Sequence, residues 1–225
     1  MRVFRYRVAS VTTFTELAEG MTWFARYDRL NDPFEGSYVN RTASPVFDKL
    51  IQQFRVCCFS RKHDSLLLWA HYSDNHRGLC LEYEVSDDTY RTQFFPTRYR
   101  KALPSLDEVR TYPPDSHVAG ALIVHEDREA AVFLTKSEEW SYEEEVRTLR
   151  HATDIRSEGE KYPVPGELSA VYFGLRADPS TIVLIDRLLY SQPHVEFFQA
   201  SLVQGQFKLV FAPVMRGQEV PKTLA

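Results

Sequence analysis

Trp140-Ser141-Tyr142-Glu143-Glu144-Glu145-Val146-Arg147 is an acidic run that ends in residues suited to a strand. In an extended backbone alternate side chains share a face, so Glu143, Glu145 and Arg147 are expected to point the same way, roughly 6.5–7 Å apart. A buried sheet face carries apolar residues at such positions. Two carboxylates and a guanidinium in a row therefore mean one of two things: an edge strand protected by charge, or the wall of a polar site. Trp140 and Tyr142 crowd the entrance to the run and favour the site.

Working outward, the spacing predicts strands over Val3 to Val8, Met21 to Arg26, Arg55 to Ser60, Gly78 to Val85, Ser169 to Gly174, Val195 to Leu202 and Gln206 to Phe211. Helices are expected over Thr13 to Glu19, stopped by Gly20, and from Leu66 to Asn75, capped by Asp64 or Ser65 and stopped by Gly78. Val118 to Lys136 reads as a further helix. Another runs to Tyr190 from Asp178-Pro179, an N-cap residue before a proline suited to the first helical position. Asn31-Asp32-Pro33-Phe34-Glu35-Gly36 is dense in turn formers and reads as a loop. Residues 87–117, with Pro96, Pro104, Pro113 and Pro114, read as an irregular proline-rich excursion with a short helix at best. Strands and helices mix without regular βαβ spacing. The expected fold is therefore α+β, one domain over residues 1–225, with a mainly antiparallel sheet and flanking helices.

Bulk properties narrow the classes. The chain has 225 residues, 44% of them hydrophobic, with 12 Tyr and 15 Phe, which suits an aromatic-rich core. A formal charge of -4 provides no general field for nucleic acid. Cys57, Cys58 and Cys80 fit neither a disulfide framework nor a zinc knuckle, and read as buried thiols in a reducing compartment. Met1–Arg7 lacks the apolar centre of a secretory signal, and no apolar stretch is long enough to span a bilayer. A soluble cytoplasmic protein with no membrane contact is expected. There is no phosphate loop, no GxGxxG, no HExxH and no GxSxG, and His71 and His76 are badly spaced for one metal, so no metal site is expected.

Unusual polar residues recur in a fixed order: Arg5-Tyr6-Arg7, Asn31-Asp32-Pro33-Phe34-Glu35, Ser60 after Cys57-Cys58-Phe59, Trp69-Ala70-His71-Tyr72, and Glu143-x-Glu145-x-Arg147. Together with the stretches RLNDPFEG, VCCFS, LLLWAHYSDNHRGLCLEYE, K...WSYEEEVR (from Lys136 to Arg147) and VYFG, this order resembles a bacterial family catalogued as domain of unknown function 2971. The same order is similar to the ADP-ribosyltransferase fold, a split sheet that grips NAD. An early strand there supplies Arg or His, a middle strand Ser or Tyr, and a late strand Glu. That likeness implies Arg7 or Arg5, Ser60 and Glu145, with Glu143 completing the paired-glutamate version. Ser60 is not followed by the usual Thr-Ser, and an aromatic residue such as Tyr72 is the alternative middle element.

What the likeness implies has a coherent chemistry. Cleaving the nicotinamide–ribose bond passes through an oxocarbenium-like state, which a fixed carboxylate, Glu145, would stabilise. Glu143 would orient the acceptor or act as base, a like charge beside it raising its pKa. Arg5 and Arg7 would hold pyrophosphate, and Tyr6, Trp23 or Phe24 would stack on nicotinamide. Ser60, Tyr72, Asn31 and Asp32 complete the expected NAD contacts. The implied activity is ADP-ribose transfer to a protein or nucleic-acid acceptor, or NAD hydrolysis, in a toxin or phage-defence effector.

Each of these residues also has a structural reading. Arg5 and Arg7 suit the flanks of a surface strand, and Asn31-Asp32-Pro33 a plain turn; against that turn, Phe34 followed by Glu35 suggests an anchored loop with an exposed acid. His71 suits a hydrogen-bonded core or rim position. Two further functions stay open: a metal-independent nuclease or other hydrolase using His71 with Asp32 or Glu35, and a non-catalytic module that binds a ligand or partner.

Overall fold

The computed structural model describes residues 1–39, 45–105 and 130–217. In chain order these residues form β1 (Arg2–Arg7), α1 (Val11–Glu19), β2 (Met21–Ala25), α2 (Pro45–Gln52), β3 (Phe54–Ser60), α3 (Leu66–Tyr72), β4 (Leu79–Glu84), α4 (Asp87–Gln93), β5 (Phe95–Pro96), β6 (Arg98–Arg100), α5 (Ala130–Leu134), β7 (Thr135–Ser137), β8 (Glu145–His151), β9 (Gly159–Pro163), β10 (Glu167–Phe173), α6 (Pro179–Leu188), β11 (Glu196–Leu202) and β12 (Leu209–Pro213). The architecture is α+β with a mainly antiparallel mixed sheet, as the strand and helix pattern predicts. The described residues gather into two compact units. One comprises Met1–Thr22, Phe59–Tyr90 and the described residues from Tyr162 on; the other comprises Trp23–Cys58 and Arg91–Lys161.

In the first unit β12, β11, β10, β4 and β1 lie side by side, and Ser60 at the end of β3 pairs with Phe4. All neighbours run antiparallel except β10 and β11. Helix α1 starts where Ser10 Oγ accepts the amide of Thr13 at 3.3 Å, and stops at Gly20, whose φ of 64° lets its amide reach the carbonyls of Glu16 and Leu17. Helix α6 begins with Asp178 accepting the Ser180 amide at 2.8 Å and Pro179 in its first turn. Helix α3, capped by Ser65, ends at Tyr72 rather than Asn75, because Asp74, Asn75 and His76 all take positive φ. Gly78 lies against the chain rather than stopping the helix: a Cβ there would sit 2.2 Å from the Arg7 carbonyl oxygen. Trp69 is fully buried, stacks edge-on with Tyr6 at 5.2 Å, and donates its indole N–H to the His63 carbonyl at 2.7 Å.

In the second unit β2 pairs with β3 and β9, and β8 with β3 and β5. Strands β6 and β7 form a separate parallel pair, with Tyr99 opposite Lys136. Tyr27, Phe54, Val56, Phe133, Leu134 and Leu149 make the apolar core. Phe133 meets Tyr27 and Phe54 at 5.4 and 5.2 Å, both edge-on. Cys57 is buried and Cys58 half-buried, and neither forms a disulfide among the described residues.

Three expectations change here. Glu143 is not on the strand: Glu138–Glu143 is a 3₁₀ helix, and Glu144 at φ 43°, ψ 49° turns the chain before β8 begins. Lys136, expected at a helix end, lies on β7; of that expected helix only Ala130–Leu134 is seen, and residues 118–129 lie outside the described residues. The excursion after Asp87 carries α4, β5 and β6 as far as Arg100, and its residues 106–117 also lie outside. Helix α2 and strand β9 were not anticipated. Among the described residues, no helix is long and apolar enough to cross a membrane.

Candidate functional site

Alternation along β8 holds where the strand is real: Glu145 and Arg147 share a face, and Arg147 Nε and Nη2 donate to the two Glu145 oxygens at 3.1 and 3.0 Å. The face is buried, with Arg147 side-chain exposure 0% and Glu145 3%, so the edge-strand reading fails. Opposite them stands Glu35. Arg147 Nη1 and Nη2 donate to its two oxygens at 2.8 and 2.6 Å, and Nη1 also donates to the Phe133 carbonyl at 2.9 Å. A guanidinium carries five N–H donors, and all five are used here. Arg147 is saturated.

The Asn31–Gly36 loop delivers Glu35 inward. Asp32 Oδ1 accepts the Phe34 amide at 2.9 Å, and its carbonyl accepts the Glu35 amide at 3.1 Å. That turn leaves Phe34 59% exposed and buries Glu35, the reverse of the exposed acid expected. Lys136, the lysine of the stretch K...WSYEEEVR, had no site role among the sequence expectations. Its ammonium donates to Glu143 at 2.6 Å, lies 3.6 Å from both Glu35 and Glu145, and sits 4.8 Å from the Trp140 ring centre. The 3₁₀ helix places Glu143 there, since the turn at Glu144 brings its carboxylate to the ammonium from outside the strand. Tyr99 completes the shell, its hydroxyl accepting the Glu145 amide at 2.8 Å.

Three carboxylates against two cations leave the group one negative charge in excess. Burial disfavours every charge in it, and the pairing decides which are kept. At Glu145 burial is outweighed by Arg147 and Lys136, which hold the carboxyl down at about 2. At Glu35 burial prevails and the pKa is raised despite Arg147. Burial works against Lys136 too, yet Glu145 and Glu143 raise its pKa above the ordinary value. Burial, with Glu145 adding to it, pushes the Cys58 thiol well up.

Glu35 also lines a cleft of about 480 Å³ in this unit, together with Arg26, Tyr27, Asp28, Asp48 and Gln52. Arg26 is held by Asp28 through a two-point contact of 2.6 and 2.9 Å. Asn31 is exposed on the approach loop and Asp32 is buried in its turn.

Of the remaining expected site residues, Arg5, Tyr6, Arg7, Ser60, His71 and Tyr72 fall in the first unit. Arg7 Nη2 donates to Glu16 at 2.6 Å, Thr22 donates to the other Glu16 oxygen at 3.1 Å, and Arg5 donates to Thr22. Tyr6 donates to the Lys62 carbonyl at 3.0 Å, and Ser60 Oγ accepts the Lys62 amide at 2.9 Å. His71 is exposed beside Tyr72, their rings 6.3 Å apart, rather than a core residue. The other two stacking candidates belong to the second unit, where Phe24 is fully buried and Trp23 is 37% exposed. The structure therefore brings Glu143, Glu145 and Arg147 together with Glu35 and Lys136. It gives Arg5, Arg7, Tyr6 and Ser60 bonding partners of their own in the first unit.

Residues 68–148 match the model of a family described as Protein of unknown function (DUF2971), the family that the sequence stretches resemble. The match takes in Lys136, Glu143, Glu145 and Arg147 and does not reach Glu35. No curated protein and no solved structure matches the chain.

Proposed function

We propose that the protein is a ligand-binding module in which the glutamate-rich segment is an internal framework rather than the reacting centre. One observation carries this reading: the guanidinium of Arg147 and the carboxylates of Glu35 and Glu145 are turned on one another, with every Arg147 donor used, out of solvent. A carboxylate that stabilises an oxocarbenium ion has to meet the sugar, and Glu145 meets Arg147. The cleft beside Glu35 is of the size that holds small ligands, roughly 300–1,000 Å³. With Glu35 committed to Arg147, Asp28 and Asp48 still outnumber Arg26 on its wall, which favours a ligand with an ammonium or guanidinium group.

A second reading is an ADP-ribosyltransferase-like enzyme that consumes NAD. It is favoured by Glu145 remaining ionised, as a carboxylate facing a cationic transition state must. The hydrolase alternative is weaker, because Glu35 is committed to Arg147 and Asp32 to the Phe34 amide.

One experiment separates the first two. Purified protein is incubated with NAD and nicotinamide release is followed, while spermidine binding is measured by calorimetry on wild type and Asp28→Asn. The binding reading expects no nicotinamide, and spermidine binding weakened several-fold in Asp28→Asn. Nicotinamide release that disappears in a folded Glu145→Gln variant would replace it with the NAD reading. Absence of any spermidine binding would remove the assignment of ligand class.

A further inference from the structure

We infer that a second cleft, within the first unit and independent of the reading above, binds a neutral ring-sized apolar molecule carrying one hydrogen-bond donor. The cleft measures about 130 Å³ and lies beside α1, with Leu17, Leu81, Tyr83, Leu168, Glu16 and Gln192 on its wall. Its apolar lining follows from strand alternation. Leu81 and Tyr83 are two apart on β4, and Leu168 is the partner of Tyr83 across to β10. Leu17 on α1 is 7% exposed, and Leu81 and Tyr83 are 4% and 7% exposed, so these are core residues around a gap. Its volume approaches that of the apolar cavities, about 150 Å³, that take up benzene.

The polar wall defines the rest of the ligand. Glu16 is 4% exposed, and each of its oxygens accepts one protein donor, from Arg7 or Thr22. A carboxylate oxygen accepts two hydrogen bonds, so Glu16 retains acceptor capacity after both are made. Its charge is already balanced by Arg7, 2.6 Å away, so a neutral donor suits the site and a cation does not. An aromatic N–H or O–H fits both demands.

The test uses indole and its donorless isostere benzofuran, titrated into the full-length protein and followed by ¹H–¹⁵N and methyl spectra. Indole is expected to give intermolecular cross-relaxation to the methyls of Leu81 and Leu168, and to bind at least tenfold tighter than benzofuran. Leu168→Phe, which fills the gap, is expected to raise the indole dissociation constant more than tenfold. Absence of cross-relaxation at millimolar indole in wild type overturns the site, whether or not Leu168→Phe folds. Unchanged binding in a folded Leu168→Phe does the same, and equal binding of benzofuran overturns the role given to Glu16.

Discussion

Glu35 and Arg147 meet as two matched forks, their paired contacts 2.8 and 2.6 Å long, across 112 residues of sequence. Both side chains are essentially sealed from solvent. A planar guanidinium can make this contact and an ammonium cannot. Arg147→Lys is therefore expected to destabilise the protein by about 3–5 kcal/mol, the range for breaking a buried pair. Urea denaturation measures it. A double-mutant cycle with Glu35→Gln should show coupling above about 1 kcal/mol.

The response to acid follows from the two carboxyls that move in opposite directions. Glu145 is held at about 2, below its ordinary 4.5, so its contribution is complete above about pH 4.5 and is lost as pH falls through about 2. The difference corresponds to about 3 kcal/mol. Glu35 is raised by burial, so the folded chain takes up that proton first, and this group adds stability as pH falls toward the ordinary carboxylate range. The gap in unfolding free energy between wild type and Glu145→Gln should be widest near neutrality and close toward pH 2.

Removing Lys136 leaves the three carboxylates with Arg147 alone. Lys136→Met keeps the length of the side chain, and we expect it to cost about 3 kcal/mol. The loss should shrink in acid as the unpaired carboxylates protonate. Denaturation curves at pH 7 and pH 4 give the comparison, and a loss independent of pH would argue for packing against Trp140 instead.

Two glycines in the first unit are required by contact rather than by turning. A Cβ on Gly78 would lie 2.2 Å from the Arg7 carbonyl oxygen, and one on Gly174 at 2.2 Å from the His76 carbonyl oxygen. Backbone cannot yield as a side-chain end does, so Gly78→Ala and Gly174→Ala should each lose roughly 3 kcal/mol or more. Melting temperature and soluble yield report it.

Ser60→Ala separates a structural hydroxyl from a ligand contact. The hydroxyl accepts the Lys62 amide, so its loss should cost about 1 kcal/mol and leave spermidine binding unchanged. Calorimetry on the variant checks both.

Strand alternation made the shared face of Glu145 and Arg147 legible, and the caps at Ser65, Gly20 and Asp178 placed helix ends. Their partners were not legible. Nothing local to Glu35 says that it pairs with a residue 112 positions away, and the turn formers around it read equally well with the acid outside. Lys136 belongs to a quoted stretch, but its role was hidden by the apolar run before it, which suits a helix until β7 pairs with β6. Glu143 was misplaced because three successive glutamates do not say which one takes a left-handed backbone. At Arg5, Arg7 and Ser60 the residue types were noticed, but their partners Glu16, Thr22 and the Lys62 amide depend on the folded chain.

The left-handed turn at Glu144 makes the three glutamates a length standard. Glu143 reaches Lys136 from a helical turn and Glu145 reaches Arg147 from a strand, with one residue to switch between them. Glycine at position 144 would suit the turn, whereas an added or deleted residue would rotate one carboxylate out of the buried group and leave its cation alone. Composition at the bend is therefore negotiable, and spacing is not.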